Sequence, residues 1–245
     1  MAYRFDEDLE FLRSMKSEDL NALVEILTGK EGDKRLTENL TNNPLYKRFY
    51  PNHIEYIEYV MEELQHYGAN SIATKFRGEK GVLYREILCD VCDKAKASYN
   101  KKSSIDLIEQ NLLLKVLADS LDKVNMDELK EFSKEIGATL TDFTKQGITA
   151  AIQTAIKVGG FKSYQLALIV ANAVAKAVLG SGLKLATNAT LTRAMGIFAG
   201  PIGWVLTGAW TFVDIAGPAY RVTTPAVIQI AFLRQLKNHR EYGDS

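Results

Sequence analysis

Two spacings in this chain could carry chemistry. Cys89-x-x-Cys92 is half of a structural zinc pattern, or the pair of a dithiol centre. Glu63-x-x-His66 is half of a bundle-type di-iron site. Each fails on its missing half. A structural zinc takes four ligands, and the chain has 2 cysteines and 3 histidines, His53, His66 and His239, so a Cys2His2 site would need distant elements to converge. A redox pair belongs at a strand-to-helix start, whereas Cys89 and Cys92 fall inside a predicted helix. Three residues apart there, they do not close a disulfide without strain, and they read as reduced thiols on a core face. A di-iron site needs a second Glu-x-x-His and two more Glu-bearing helices. The second unit is absent, so Glu55, Glu58, Glu62 and Glu63 read as a solvated face. The charged turns at 30–35 and 77–81 are not phosphate loops, and Gly180-Ser181-Gly182 lacks the strand-and-elbow context of a serine nucleophile. With no acid–base or nucleophile constellation of usable spacing, the expectation is a non-enzyme with no cofactor and no metal.

The elements that hold these residues are helical. Proline is scarce, long stretches lack strand-like alternation, and apolar residues make up 47% of the 245. Residues 6–15 and 17–27 predict two short amphipathic helices, the second N-capped by Ser17 and ended by Gly29. Leu9, Leu12, Leu20, Leu23, Val24 and Leu27 form their apolar stripe. Residues 29–51 read as loop. Asn52 opens a helix to Tyr67, with Glu55 in the capping-box position and Gly68 as the stop. Helices follow at 82–97 and 104–121. Another starts at Asn125, with Glu128 in the box position, and stops at Gly137. Further helices are expected at 141–158, 164–179 and, less strongly, 183–199. Pro225 suits the first turn of a last helix through Leu236, with Arg234, Lys237, His239 and Arg240 near its negative pole.

Charge is distributed unevenly. Acids and bases balance at 30 each, yet residues 1–136 carry 26 acids and 20 bases, and residues 137–245 carry 4 and 10. The net-zero total hides a split of −6 against +6. Residues 143–213 contain no Asp or Glu, and 194–213 contain no charge. Twenty uncharged residues reach the length of a membrane span. Gly200-Pro201 divides the run, however, and Gly196, Gly203 and Gly208 weaken it as a helix. The longer piece, 202–213, suits a buried core helix or an interfacial segment better than a span. Gly196-x-x-x-Gly200 and Ala199-x-x-x-Gly203 would let a second helix approach closely. Lys145, Lys157, Lys162, Lys176, Lys184 and Arg193 are spread singly, so no basic cluster tracks a phosphate backbone and nucleic acid is not expected. Spread lysines on apolar helices suit headgroup contact by snorkelling. The plainer reading is that the acidic half neutralises the basic half internally. Asp214, beside the apolar run, is expected to pair with Arg221.

The strings at 200–204 (Gly-Pro-Ile-Gly-Trp), 214–223 (Asp-Ile-Ala-Gly-Pro-Ala-Tyr-Arg-Val-Thr) and 225–228 (Pro-Ala-Val-Ile) resemble the C-terminal signature of the YaaW-like bacterial proteins. The opening at 3–12 is similar to the short N-terminal module that often precedes that family's main domain. The family is uncharacterised and is remotely grouped with ubiquinol–cytochrome c chaperones, which assist assembly of a membrane complex. The resemblance implies a helical fold and a binding role, and brings no catalytic residues.

The expected fold is an all-α, multi-helix globular bundle with a central apolar, Gly-rich helical hairpin. Its divisions are a short helical module at 1–36, an acidic helical region at 37–136 and an apolar, basic core at 137–245. The expected function is conditional association with a membrane or a membrane-protein partner. The contacts would be Lys176, Lys184, Arg193, Gly196, Gly200, Gly203, Trp204 and Trp210. The alternative is an assembly factor or chaperone-like regulator that binds a protein without touching lipid. With no secretory signal at the N-terminus, the expected location is the cytoplasm, with a peripheral place at the inner membrane. The Gly-rich hairpin would also allow two copies to pair.

Overall fold

A computed structural model describes residues 3–29, 38–71, 81–135, 137–157, 160–183 and 220–242. Among the described residues the regular elements are all helical, as the patterning predicts. They are α1 (Ser17–Thr28), α2 (Pro44–Phe49), α3 (Ile57–Ser71), α4 (Tyr84–Ala95), α5 (Ile105–Leu121), α6 (Met126–Glu135), α7 (Lys145–Lys157), α8 (Phe161–Leu179) and α9 (Tyr220–Tyr242). Short 3-10 turns occupy Glu10–Ser14, Leu40–Asn42 and His53–Tyr56. The uncharged run and the Gly-rich hairpin lie outside the described residues.

Local chemistry sets the boundaries, and several differ from expectation. Residues 6–15 do not form one α-helix, because the Asp6 carboxylate accepts the Asp8 amide at 3.1 Å and starts a turn that leads into the 3-10 segment. The N-cap of α1 is Lys16, not Ser17. The Ser17 hydroxyl instead donates to Asn52 Oδ1 and accepts the Ile54 amide, which ties α1 to the stretch leading into α3. Part of the expected loop at 29–51 is helical, since Asn43 accepts the Leu45 amide and Pro44 opens α2. The helix after Asn52 begins as 3-10 and runs through Gly68 to Ser71. A Cβ at Gly68 would lie 2.5 Å from the Ile87 side chain, so this glycine serves the close approach of α3 and α4 and does not stop the helix. Asn125 and Glu128 make the reciprocal capping box that their spacing predicts. Further on, α7 starts at Lys145 because Thr144 Oγ1 caps it by accepting the Gly147 amide at 3.1 Å.

The central element is α9. It has already formed at Tyr220, so Pro225 sits inside it, and it continues past Leu236 to Tyr242. From 222 to 233 its residues are all buried, Thr223, Thr224 and Gln229 included. A helix apolar on all sides must be surrounded, and α9 packs against α8, α1, α4, α3 and α5. Its main neighbour, α8, runs antiparallel. Gln229 Nε2 donates to the Ala171 carbonyl at 2.8 Å, and Tyr164 stacks on Phe232 and His239 at 6.3 and 4.5 Å between ring centroids. Ala167, Ala171 and Ala175 are fully buried one turn apart. Their lack of bulk lets the Gln229 side chain reach the neighbouring main chain.

Cations of α9 meet acids of the N-terminal half inside this frame. Arg234 Nε donates to Glu109 at 3.0 Å, and its NH2 donates to the Asp8 carbonyl at 2.7 Å. Glu109 also accepts the Tyr84 hydroxyl at 2.6 Å. Burial pushes the Glu109 carboxyl up, while Arg234 and Tyr84 pull it back down. Arg240 grips buried Asp19 through two bonds. Arg234→Met would leave Glu109 buried without its cation, and urea unfolding should show a loss of about 3–5 kcal/mol. The double variant Arg234→Met with Glu109→Gln should regain most of that loss. Equal losses in the single and double variants would show that the uncompensated charge is not the cause.

Candidate functional site

The contact residues expected from the sequence divide into two groups. Lys176 is exposed on the last turn of α8, and Arg221 is exposed at the start of α9. Lys184, Arg193, Gly196, Gly200, Gly203, Trp204, Trp210 and Asp214 lie outside the described residues, and so does any Asp214–Arg221 pair. The points where residues 184–219 join the fold are described. Gly180, at φ 70°, ends α8, and the chain folds back until the Leu183 amide donates to Asn172 Oδ1 at 2.9 Å. A Cβ at Gly182 would sit 2.5 Å from that same oxygen. Asn172, a polar residue on an otherwise apolar helix, thereby seats the departing chain. Lys176 lies one turn further along the same face.

At the returning end, Tyr220 rests against α4. Lys94 Nζ stands 5.2 Å from its ring centroid, and the Asp90 carboxylate is near its hydroxyl. Burial and that carboxylate push the Tyr220 hydroxyl up to about 12. Because Ala171 faces Gln229 in an antiparallel pair, the last turn of α8 is level with the start of α9. The returning chain therefore joins at that end of the helix pair, and the departing chain is seated two turns inside it, on the same half. Of the other spread lysines, Lys157 is exposed, but Lys145 is committed to the fold. It donates to the carbonyls of Asp122 and Val124 at 2.6 and 2.8 Å, which satisfies the end of α5.

The Glu-x-x-His half-motif lines a cleft of about 330 Å³ with Glu58, Glu62, Tyr3 and Asn39. The acids were expected to form a solvated face, and Glu63 departs from that. It is only 3% exposed and accepts the Asn39 amide at 3.3 Å. Among the described residues no Lys or Arg pairs with it. Burial, with Glu38 and Glu62 nearby, pushes its carboxyl up to about 7. His66 Nε2 lies 3.8 Å from Glu62, and burial lowers its pKa. The cleft can exchange protons near neutrality, but no Cys or Ser lines it, and no three His, Cys, Asp or Glu among the described residues are placed to hold a metal. Cys92 lies in the core with its thiol pushed up to about 12 by burial, and Cys89 is buried beside it.

His53 gave no useful signal in the sequence, because one of its two partners, Asn21, lies 32 residues away in the chain. It is buried between Asn21 Oδ1, to which Nε2 donates at 2.7 Å, and the Tyr56 hydroxyl, which Nδ1 accepts at 2.5 Å. That arrangement needs a neutral ring, and burial lowers its pKa to about 4.

None of the described helices is long and apolar enough to cross a membrane. The ubiquinol-cytochrome C chaperone family model matches residues 52–228, and a domain of unknown function (DUF3944) matches residues 3–36. A UPF0174 protein of Helicobacter pylori strain J99 is 55% identical over 236 residues, spanning 96% of this chain and 93% of its own length. The UPF0174 protein YaaW of Escherichia coli K12 is 35% identical over 241 residues, or 96% of each chain. The chain belongs to the UPF0174 (YaaW) family. A further Helicobacter pylori member, from strain 26695, is 48% identical over 204 residues, covering 81% of this chain and 97% of its own. No solved structure matches the chain.

Glu63 and His53 should titrate against each other. The raised Glu63 carboxyl contributes stability that is complete below about 4.5 and lost as pH rises through about 7. The lowered His53 contributes stability that is present above about 6.5 and lost as pH falls to about 4. Each effect is worth at most about 3 kcal/mol. Relative to the wild type, Glu63→Gln should lose stability as pH falls from 6.5 to 4.5, and His53→Gln should gain it. Urea midpoints across that range test this, and parallel profiles for all three proteins would refute it.

Proposed function

We propose that the protein is a non-enzymatic binding factor whose acid-free C-terminal stretch associates conditionally with a membrane or a membrane-protein partner. The observation that carries this reading is that both joining points of residues 184–219 lie on the same half of the α8–α9 pair, one at Asn172 and one at Tyr220. A long apolar sequence whose only acid is Asp214 is thereby attached to the frame. Lys176, Lys184 and Arg193 would meet anionic groups. Gly196, Gly200 and Gly203 would let a partner helix, or a second copy, come close. Trp204 and Trp210 would lie at the boundary between apolar and polar surroundings, and Asp214 would be neutralised by Arg221. In this scheme 1–36 and 37–136 complete the frame, 137–245 carries the contact, and the protein works on the cytoplasmic side, peripheral to the inner membrane.

A second reading has an observation of its own. The match over 52–228 to a family described as ubiquinol-cytochrome C chaperone supports a chaperone-like assembly factor. On that reading the same stretch meets the apolar surface of an unassembled protein and never touches lipid.

Tryptophan emission separates the two. The chain has 2 tryptophans, both inside 184–219, so the signal reports on that stretch alone. Vesicles of phosphatidylglycerol and phosphatidylcholine with brominated acyl chains should quench and blue-shift the emission, less so at high salt. Absence of quenching at every composition, with a photo-cross-linker at position 204 trapping one reproducible protein in intact cells, selects the second reading. Neither quenching nor cross-linking would remove both.

A further inference from the structure

The cations at the two ends of α9 are treated differently. At its C-terminal end Arg234 is held by Glu109, Arg240 by Asp19, and Lys237 lies 3.6 Å from Glu241. At its N-terminal end Asp93 accepts the Tyr99 hydroxyl at 2.7 Å and lies 3.5 Å from Lys101, and Asp90, near enough to raise the Tyr220 pKa, keeps one buried carboxylate oxygen without a hydrogen bond. Lys94 and Lys96, on the last turn and C-cap of α4, are both exposed and make no ion pair among the described residues. Lys94 stands over Tyr220, where residues 184–219 rejoin the fold. Lys176 stands beside Asn172, where they leave it.

We infer that Lys94 and Lys96 form a basic rim beside Tyr220 that binds the anionic headgroups of a lipid bilayer. The inference rests on the membrane reading above and deepens it, because it assigns headgroup contact to α4, a helix of the acidic half. The chemistry of the two parts matches. An uncharged, tryptophan-bearing sequence suits the acyl boundary, and ammonium groups beside the point where it rejoins the fold suit the phosphate layer above it. Each lysine near an anionic surface should strengthen partitioning about fivefold, an effect that fades with salt.

The test uses the full-length protein and vesicles of either phosphatidylcholine alone or phosphatidylcholine with phosphatidylglycerol. The wild type should float with the mixed vesicles. K94Q/K96Q should lower partitioning about 25-fold, while K94R/K96R retains it. K157Q removes an exposed lysine on α7 just before the far end of α8, and should leave partitioning unchanged. Matching circular dichroism and melting would show that the surface variants fold. Floating of K94Q/K96Q at the wild-type level, with tryptophan emission still quenched, overturns the rim and leaves the membrane reading standing. An equal drop in K157Q overturns it in favour of diffuse charge. A wild type that never floats overturns both readings. Lysine-dependent binding to polyglutamate without flotation overturns the lipid assignment in favour of an acidic protein surface.

Discussion

Burying one helix on every side is the constraint on which this fold depends. The apolar residues of α9 point in all directions, so no single partner helix can cover them. Five helices from both halves of the chain do so, and one continuous core runs from Leu9 to Leu236. The same helix ends in basic residues, and taking Arg234 into that core would be costly without a carboxylate and further hydrogen bonds. Glu109, Tyr84, the Asp8 carbonyl and the Phe11 ring, 4.2 Å from the guanidinium, together satisfy it. The start of the chain is thereby fixed to its end, and the stretch matched by the domain of unknown function contributes Leu9, Leu12, Leu20 and Leu23 to the common core.

That arrangement accounts for part of the charge split. Glu109 and Asp19 of the first half pair with Arg234 and Arg240 toward the C-terminal end of α9, where the cations also complement the negative pole of the helix. Proline in α9 fits the same polarity. Pro225 deprives the Arg221 carbonyl of its helical donor, and Arg221 is exposed, so water can replace the missing bond. One end of the helix pair is closed by buried ion pairs, and the other carries exposed cations and the point where residues 184–219 rejoin the fold.

The sequence revealed the elements better than it revealed their junctions. Period and capping residues located α1, α4 to α6 and α8 closely, because those signals are local. The errors arose where a distant residue decides the outcome. Ser17 is diverted from capping by Asn52, and Gly68 is shaped by Ile87. Glu63 looks like any surface acid on its helix, and only the 38–43 segment folding over it makes it a buried carboxyl. Lys94 and Lys96 could not have been singled out, since they belong to the half with the acidic surplus and gain their meaning only when Tyr220 is placed beside them. Membership in the YaaW family was readable from the C-terminal string, because that resemblance needs no geometry.

The frame around the two attachment points stands on its own contacts. A region can exchange contacts without unfolding a protein only where the rest of the fold holds without it. Here α8 and α9 hold one another through Ala171, Gln229, Tyr164 and Phe232. The departing chain is seated by Asn172 and the returning chain by Lys94, groups on helices that the common core fixes. The conditional contact proposed for 184–219 therefore asks nothing of the residues that join α8 to α9.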